Sequence, residues 1–334
     1  MSERSEPVAI DLAPIVARAL PKAVEARRRL AWRRRPAFPW SAPTWPGSVE
    51  RGPARRSLGA DFDTEWARTP AARVARGFVL DGLIRPAVSV VASPTVTGLD
   101  RLRGLEGPVI FVANHASHLD TPLLLCSVPE RFRRRIVVAG AADYFFDRRL
   151  KAIVSALALG AVPIDRTSVS RRSLHDLEEL ISDGWSAIVF PEGGRTPDGW
   201  GREFKAGAAY LATRTGAPVV PVHVEGSRRV WRKGGRLRLA TTAVTFGAPL
   251  QPGDSLADAR ALAGAMERSV AVLADEQATD WWSARRRAAA GTTPSLTGPS
   301  AGAWRRTWAL TERERSRRPA RQEPRWPRVC QRCS

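Results

Sequence analysis

A histidine and an aspartate, His115 and Asp120, have the residue types and spacing in this 334-residue chain that most clearly suggest chemistry. Four residues separate them, and they directly follow the apolar segment 108–113, which predicts a buried strand. Open α/β sheets carry ligand chemistry in the loops at such strand ends. A carboxylate on one ring nitrogen fixes the tautomer of a histidine that takes a proton near neutral pH. The pair can therefore activate a hydroxyl group, unless Asp120 serves only as a helix cap.

A second group of candidate residues follows the apolar segment 187–190. Two glycines, Gly193 and Gly194, let backbone amides face a ligand, and the Arg195 guanidinium matches the geometry of a phosphate. Lys205 is predicted to open a helix over residues 204–214 and to add a second cation at its N-terminus. The alternative is a glycine turn with an exposed acid and an exposed base.

Two more segments combine an apolar run with unusual residues. In 159–166, small residues allow close backbone approach and Arg166 suits a planar anion, although alone this segment indicates a surface ion pair. In 217–224, Pro221 interrupts an apolar strand, which predicts either an edge strand or a bulge. His223 is then a strand residue.

Together these four segments resemble the phospholipid/glycerol acyltransferase family, which includes the 1-acylglycerol-3-phosphate acyltransferases. The resemblance covers about residues 70–275. The matching blocks are Asn-His-x-x-x-x-Asp at 114–120, Gly-x-x-x-Ile-Asp-Arg at 160–166, Phe-Pro-Glu-Gly at 190–193 and Val-Pro-Val at 220–222. Gly194 departs from the family pattern, because a threonine is common at that position.

The resemblance implies transfer of a fatty acyl group from acyl-CoA or acyl-carrier protein to the free hydroxyl of lysophosphatidic acid, giving phosphatidic acid. It makes His115 the general base and Asp120 the residue that orients it. Around the glycerol and phosphate of the acceptor it places Arg166, Glu192, Gly193 and Arg195, and Lys205 joins them as a second cation. No cofactor is implied beyond the thioester co-substrate. Another lysophospholipid or glycolipid acceptor, and hydrolysis with water as acceptor, remain alternatives.

Neither a metal centre nor a covalent nucleophile is predicted. His115 and His118 are three residues apart, but no cysteine cluster or second carboxylate pair completes a metal site. His118 is therefore predicted to begin a helix or to line the cleft. Cys126 lies in an apolar helical segment, which favours packing over nucleophilic attack.

The net charge of +20 is concentrated in the two ends of the chain. Residues 1–60 carry +7 and residues 284–334 carry +10, which leaves +3 for residues 61–283. We therefore predict a basic arm and linker (1–60), an acyltransferase domain (61–283) and a basic, disordered tail (284–334). Such arms favour an anionic membrane surface as partner. A nucleic-acid or scaffold protein acting through the arms is the competing class, but it leaves the four ordered blocks unexplained.

Two parts of the chain are candidates for lipid contact. The pattern of the first arm predicts two short basic amphipathic helices, with a disordered basic arm as the alternative, and residues 70–92 predict a largely apolar helix. Only 14 uncharged positions separate Arg85 from Asp100, whereas a spanning helix needs about 20 apolar residues. We therefore expect shallow docking of 70–92, the alternative being a helix packed wholly on the core. With no secretory signal evident, the expected location is peripheral, on the cytoplasmic face of the membrane.

The remaining apolar segments alternate between strand and helix patterns. Strands are expected near 108–113, 135–139, 161–164, 186–190, 218–224 and 242–246, and helices near 120–127, 147–157, 170–182, 204–215 and 256–275. This alternation predicts an α/β fold with a mixed, mostly parallel sheet flanked by helices. The order of the strands cannot be derived from it.

Overall fold

Seven strands form one mixed sheet in the computed structural model, in the spatial order β1-β7-β6-β2-β5-β3-β4. The structure describes residues 62–146, 148–164, 171–195, 198–232 and 235–316, all within one unit of the chain. The strands are β1 (Pro94–Thr97), β2 (Ile110–Ala113), β3 (Ile136–Ala141), β4 (Ala161–Ile164), β5 (Ser186–Val189), β6 (Val219–Glu225) and β7 (Thr242–Phe246). Neighbouring strands are parallel except β6 and β7.

Nine helices of six or more residues occur in the part of the chain that the structure describes. They are α1 (Pro70–Val79), α2 (Arg85–Ala92), α3 (Asp120–Ser127), α4 (Arg149–Val154), α5 (Arg171–Ser182), α6 (Gly207–Thr215), α7 (Leu256–Ala278), α8 (Trp281–Ala289) and α9 (Ala303–Ser316). A π-helical turn, Leu80–Ile84, joins α1 to α2, and another, Ser155–Leu159, extends α4. Single turns cover Glu65–Arg68, Leu99–Leu102, Glu130–Arg133, Ala142–Phe145 and Ser227–Val230.

Helices cover both faces of the sheet, which explains why β2 is apolar at every position. Side chains of a strand alternate between faces. Phe111 packs with residues of α2 and α3, whereas Ile110 and Val112 pack with residues of α5, α6 and α7 on the opposite face. All four residues of β2 are buried. The predicted α/β fold with a mixed, mostly parallel sheet is confirmed.

Pro221 lies in an interior strand, so the prediction of an edge strand is wrong and that of a bulge is right. β6 pairs with β2 on one side and β7 on the other. Val222 pairs with Phe246, and Val219 pairs with Leu250. Three residues therefore separate the two pairs along β6, whereas four separate them along β7 and the segment that follows it. The extra residue forms a bulge opposite Pro221, where a proline that lacks an N–H donor is tolerated.

β1 is an element that the periodicity did not predict. It is four residues long, begins at Pro94 and lies at the edge of the sheet beside β7. A proline suits the first residue of an edge strand. The run is too short and too polar to stand out as an alternating pattern.

One face of the segment 70–92 is fixed to the domain and the other is exposed. The buried guanidinium of Arg76 donates to the backbone carbonyls of Ala67, Ile136, Ala156 and Leu157 at 2.9–3.3 Å. On the other face Val74, Phe78, Leu83 and Val90 are 61%, 76%, 68% and 70% exposed. Complete packing on the core is thereby excluded. Within the described residues, every helix is too short or too polar to cross a bilayer.

The predicted disorder of the basic tail is wrong for residues 284–316. α8 and α9 are helical, and Leu296 between them is buried against Val270, Ala271 and Ala274 of α7. Two buried residues, Ala284 and Leu296, together with polar contacts, fix this segment, so its low apolar content was misleading. Residues 317–334, like the predicted arm and linker 1–60, lie outside the described residues.

Candidate active site

Three neighbouring parallel strands place the predicted site residues at one edge of the sheet. β2 lies between β5 and β6, and all three run in the same direction. Their carboxyl ends therefore meet, and the residues that follow them include the predicted His115 and Glu192, together with Arg228, which the sequence analysis did not single out. β4 runs in the same direction and ends at the same edge, although Arg166, which follows it, is outside the described residues.

His115 and Asp120 form the predicted pair. The Nδ1–H of His115 donates to Asp120 Oδ2 at 2.9 Å. The imidazole also stacks on Phe190, with ring centroids 4.2 Å apart and planes at 24°. Because Nδ1 is committed to the carboxylate, Nε2 is the nitrogen that can accept a proton from a substrate.

The Asp120 carboxylate is itself held rigidly. Oδ2 also accepts from the backbone N–H groups of Ala116 and Ser117 at 2.7 and 2.8 Å. Asp120 is the first residue of α3 and is fully buried, so the helix N-terminus adds favourable charge. The two amides precede α3, whose N-cap residue is Leu119, so Asp120 fixes the loop that carries His115 and does not cap the helix with its side chain.

Glu192 ties the loop after β5 to the loop after β2. Its Oε1 accepts from His115 N at 2.9 Å, and its Oε2 accepts from Arg202 N at 3.2 Å. Burial raises the pKa of Glu192 to about 8, against the lowering effect of these two amides. Through these hydrogen bonds Glu192 positions the backbone of His115. A positioning role therefore fits this geometry better than the predicted contact with the acceptor does.

Arg195 meets His118, a partner that the sequence did not predict. The guanidinium of Arg195 donates to His118 Nε2. Burial, followed by the nearby Arg195 charge, lowers the pKa of His118 to about 4, so the ring is neutral at neutral pH. A guanidinium has no acceptor atoms, which assigns the His118 proton to Nδ1. His118 therefore orients Arg195 as a neutral acceptor, so no second positive charge repels the guanidinium.

Gly193 and Lys205 lie against each other beside this pair. Gly193 has a φ of +67°, and a Cβ there would stand 3.0 Å from Lys205 Nζ. The backbone N–H of Lys205 donates to the carbonyl of Pro191 at 3.0 Å. The helix begins at Gly207, not at Phe204, so Lys205 precedes α6 instead of opening it. It still brings a second cation to the glycine turn.

Asn114 has a structural role that the sequence did not indicate. Its Nδ2 donates to the carbonyl of Val224 at 2.9 Å, and its Oδ1 accepts from Val224 N at 2.8 Å. This side chain continues the β2–β6 ladder by one step. It therefore sets the start of the loop that carries His115.

Two cavities meet at His115. The first, the polar pocket, has a volume of about 90 Å³ and is lined by residues that include Asn114, His115, Glu192, Ser227, Arg228 and Leu310. The second, the apolar cavity, has a volume of about 120 Å³ and is lined by His115, Val138, Phe145, Leu177, Val189, Phe190, Lys205 and Leu211, among others. A base at this junction can act on a molecule that has both a polar and an apolar part.

Residues 93–225 match the model of the family described as Acyltransferase. The chain is 30% identical over 146 residues to the 1-acyl-sn-glycerol-3-phosphate acyltransferase BAT2, chloroplastic, of Brassica napus, across 42% of this chain and 39% of that protein. It is 30% identical over 199 residues to the 1-acyl-sn-glycerol-3-phosphate acyltransferase CHLREDRAFT_174358 of Chlamydomonas reinhardtii, across 56% and 57% of the two chains. The chain therefore spans less than two thirds of the length of these relatives.

Among solved structures, the chain is similar to the crystal structure of the 1-acyl-sn-glycerophosphate (LPA) acyltransferase, PlsC, from Thermotoga maritima. The identity is 24%, the TM-score is 0.45, and the match covers 62% of this chain and 86% of that one. The match of residues 93–225 to the acyltransferase family model and the names of the sequence relatives confirm the resemblance drawn from the four blocks.

We expect Arg195→Ala to raise the KM for a phosphate-bearing acceptor by about tenfold to a hundredfold, because a charge-assisted hydrogen bond contributes roughly 1.5–3 kcal/mol. His118→Phe should raise the same KM by a smaller factor and leave kcat nearly unchanged, since it removes only the group that orients Arg195. His118→Gln, which offers an acceptor oxygen, should restore the KM. An equal defect in both His118 variants would rule out this positioning role.

The raised pKa of Glu192 predicts a pH dependence of stability. The folded state keeps a proton up to about pH 8, whereas an unfolded glutamate releases it near its ordinary pKa of 4.5. The free energy of unfolding should therefore fall between about pH 4.5 and 8, by at most about 1.4 kcal/mol per pH unit from this group. Denaturant titrations at several pH values should show a shallower fall in Glu192→Gln. Parallel curves for the two proteins would contradict the assignment.

Proposed function

We propose that this protein is an acyltransferase that moves a fatty acyl group from acyl-CoA or acyl-carrier protein to the free hydroxyl of lysophosphatidic acid, giving phosphatidic acid. One observation carries the proposal: His115, oriented by Asp120, lines both the polar pocket and the apolar cavity. The names of the relatives support the choice of acceptor.

In the proposed reaction, His115 Nε2 removes the proton of the acceptor hydroxyl as its oxygen attacks the thioester carbonyl. A tetrahedral intermediate forms and collapses, the carbon–sulfur bond breaks, and the imidazolium returns its proton to the departing thiolate. Asp120 stabilises the imidazolium during these steps. No covalent enzyme intermediate is needed, because the thioester carbonyl is already electrophilic.

The two cavities divide the substrates by polarity. The apolar cavity suits a fatty acyl chain, since its walls are aliphatic and aromatic side chains between β3, β5, α5 and α6. Arg195 and Lys205 border the glycine turn beside it and suit the phosphate of the acceptor. Arg166 remains a predicted third cation for the same phosphate.

The exposed apolar face of 70–92 supports docking to a membrane, where a lysophospholipid acceptor resides. Leu150 and Val154 of α4 are exposed as well, and α1 packs directly on the π-helical turn that extends α4. We therefore propose peripheral binding to the cytoplasmic face of an anionic membrane through this surface.

Replacing Phe78 with Glu should weaken binding to anionic vesicles by about tenfold or more, because burying a phenylalanine side chain contributes roughly 1.5–3 kcal/mol. Co-sedimentation with vesicles of phosphatidylglycerol and phosphatidylcholine measures the change. Ser182→Glu, an exposed position on the helix that covers the opposite sheet face, is the matched control. Equal binding by both variants would exclude this docking surface.

The function is tested by incubating the purified protein with palmitoyl-CoA and a panel of lysolipids and identifying the products by mass spectrometry. Phosphatidic acid formed from lysophosphatidic acid is the expected main product. If another diacylated lipid is the main product, the acceptor is a different lysolipid. Free palmitate without diacylated lipid would establish hydrolysis instead of transfer.

A further inference from the structure

The polar pocket is closed by a segment outside the family match of residues 93–225. Leu296 and Leu310 line it together with His115. Both belong to residues 290–316, which we call the C-terminal wall. The pocket beside the proposed base is therefore completed by the part of the chain whose composition predicted disorder.

Backbone hydrogen bonds fix the C-terminal wall to the loop that follows Arg195. Gly201 N donates to the carbonyl of Leu296 at 2.8 Å, and Trp200 Nε1 donates to the carbonyl of Arg306 at 3.0 Å. The Trp200 ring is buried against Gly298, where any Cβ would overlap it. The wall thus has a defined position over the loop.

Arg306 joins the wall to the loop by charge. Its Nε and Nη2 contact Asp198 Oδ2 at 2.9 and 2.8 Å. The same guanidinium donates to the carbonyls of Thr297 and Pro299 at 3.1 and 3.0 Å. One side chain therefore holds both the loop and the turn that precedes α9.

The chemistry of the pocket suits a phosphate group. Arg228 and Arg229 follow β6 and line the pocket, and a Cβ on Gly199 would overlap both the Arg228 guanidinium and Leu310. Ser227 Oγ, also in the lining, is buried without a hydrogen-bond partner among the described residues. The lining also contains two glutamates: burial raises the pKa of Glu192 to about 8, so it is protonated at neutral pH, and the Glu225 carboxylate lies 4.0 Å from His223 Nε2. Guanidinium and hydroxyl donors match phosphate oxygens.

We propose that the pocket formed by Ser227, Arg228 and the C-terminal wall is a second phosphate-binding site, distinct from Arg195 and Lys205, neither of which lines it. Its ligand is a phosphate carried by a substrate, either by the acceptor headgroup or by the pantetheine carrier of the donor. Leu310 limits the size of the group admitted. This inference rests on the proposed acyl transfer.

The first test compares substrates with and without a phosphate in the Arg228→Gln variant. If the site binds the acceptor phosphate, kcat/KM should fall about tenfold for lysophosphatidic acid and not for monoacylglycerol. If it binds the donor phosphate, kcat/KM should fall for palmitoyl-CoA and not for the palmitoyl thioester of N-acetylcysteamine. Leu310→Trp should reproduce the pattern, and Arg260→Trp, an exposed position on α7 outside the C-terminal wall, should match the parent protein. A uniform fall for all four substrates, or no fall, would overturn the site.

The second test does not depend on catalysis. Hydrogen–deuterium exchange in residues 290–316 should slow when sn-glycerol 3-phosphate or free CoA is added to the full-length protein, and Arg228→Gln should abolish the slowing. Protection by one of the two probes identifies which substrate carries the phosphate. Absence of protection by both probes would refute the site. Protection in a protein that transfers no acyl group would instead disprove the proposed function and leave the site standing.

Discussion

Replacement of His115 by alanine is expected to lower kcat for acyl transfer by about 10²- to 10⁴-fold, the usual contribution of a positioned general base. The variant should still bind both substrates, because all other residues that line the two cavities are unchanged. Steady-state rates at saturating palmitoyl-CoA and lysophosphatidic acid measure the loss.

Two controls separate a chemical defect from a folding defect in His115→Ala. His175 is an exposed histidine on α5, away from the loops that carry the site, and His175→Ala should retain full activity. The thermal unfolding midpoint of His115→Ala should stay close to that of the parent protein. A large fall in that midpoint together with the rate would assign His115 to structure and not to catalysis.

Replacement of Asp120 by asparagine is expected to be nearly as damaging, with a fall in kcat of about 10²- to 10⁴-fold. Asparagine has no negative charge to stabilise the imidazolium. An amide NH2 at the position of Oδ2 also could not accept the hydrogen bonds that the Ala116 and Ser117 N–H groups donate. The orientation of His115 is lost with them.

The double variant His115→Ala/Asp120→Asn gives the sharper test of this pair. If Asp120 acts only through His115, the double variant should be no slower than His115→Ala, since the effects of residues that act as a unit are not additive. Asp254→Asn, an exposed carboxylate outside the site, should leave the rate unchanged. Strictly multiplicative losses would show that the two residues act independently.

The local part of the site could be predicted from the sequence. His115, Asp120 and the amides between them lie within one loop, so their spacing along the chain fixes their distance in space. The alternation of apolar strands and amphipathic helices likewise predicted six of the seven strands to within a few residues. Short-range patterns were sufficient for these features.

The long-range part could not be predicted, because it depends on strand order. Arg195 reaches His118 across 77 positions of the chain, and Asn114 reaches Val224 across 110. These contacts exist because β5 and β6 flank β2, an arrangement that the periodicity of each strand does not encode. The same order brings the Glu192 carboxyl group to the backbone N–H of His115, a contact that the sequence did not predict.

The tail shows how composition can mislead. Residues 284–316 are rich in arginine and poor in apolar side chains, which predicted disorder. Their order comes from two buried residues, Ala284 and Leu296, from the ring of Trp200 and from the four contacts that the Arg306 guanidinium makes. Asp198, Trp200 and the α7 residues that contact Leu296 lie outside the tail. The tail sequence alone therefore does not contain the partners that order it.

The central claim is that an imidazole held by a carboxylate activates an acceptor hydroxyl where the polar pocket and the apolar cavity meet. Radiolabelled palmitoyl-CoA and lysophosphatidic acid, presented on anionic vesicles to the parent protein and to His115→Ala at equal membrane loading, test it most directly. We expect labelled phosphatidic acid from the parent protein and almost none from the variant. Equal amounts of labelled phosphatidic acid from both proteins would contradict the claim.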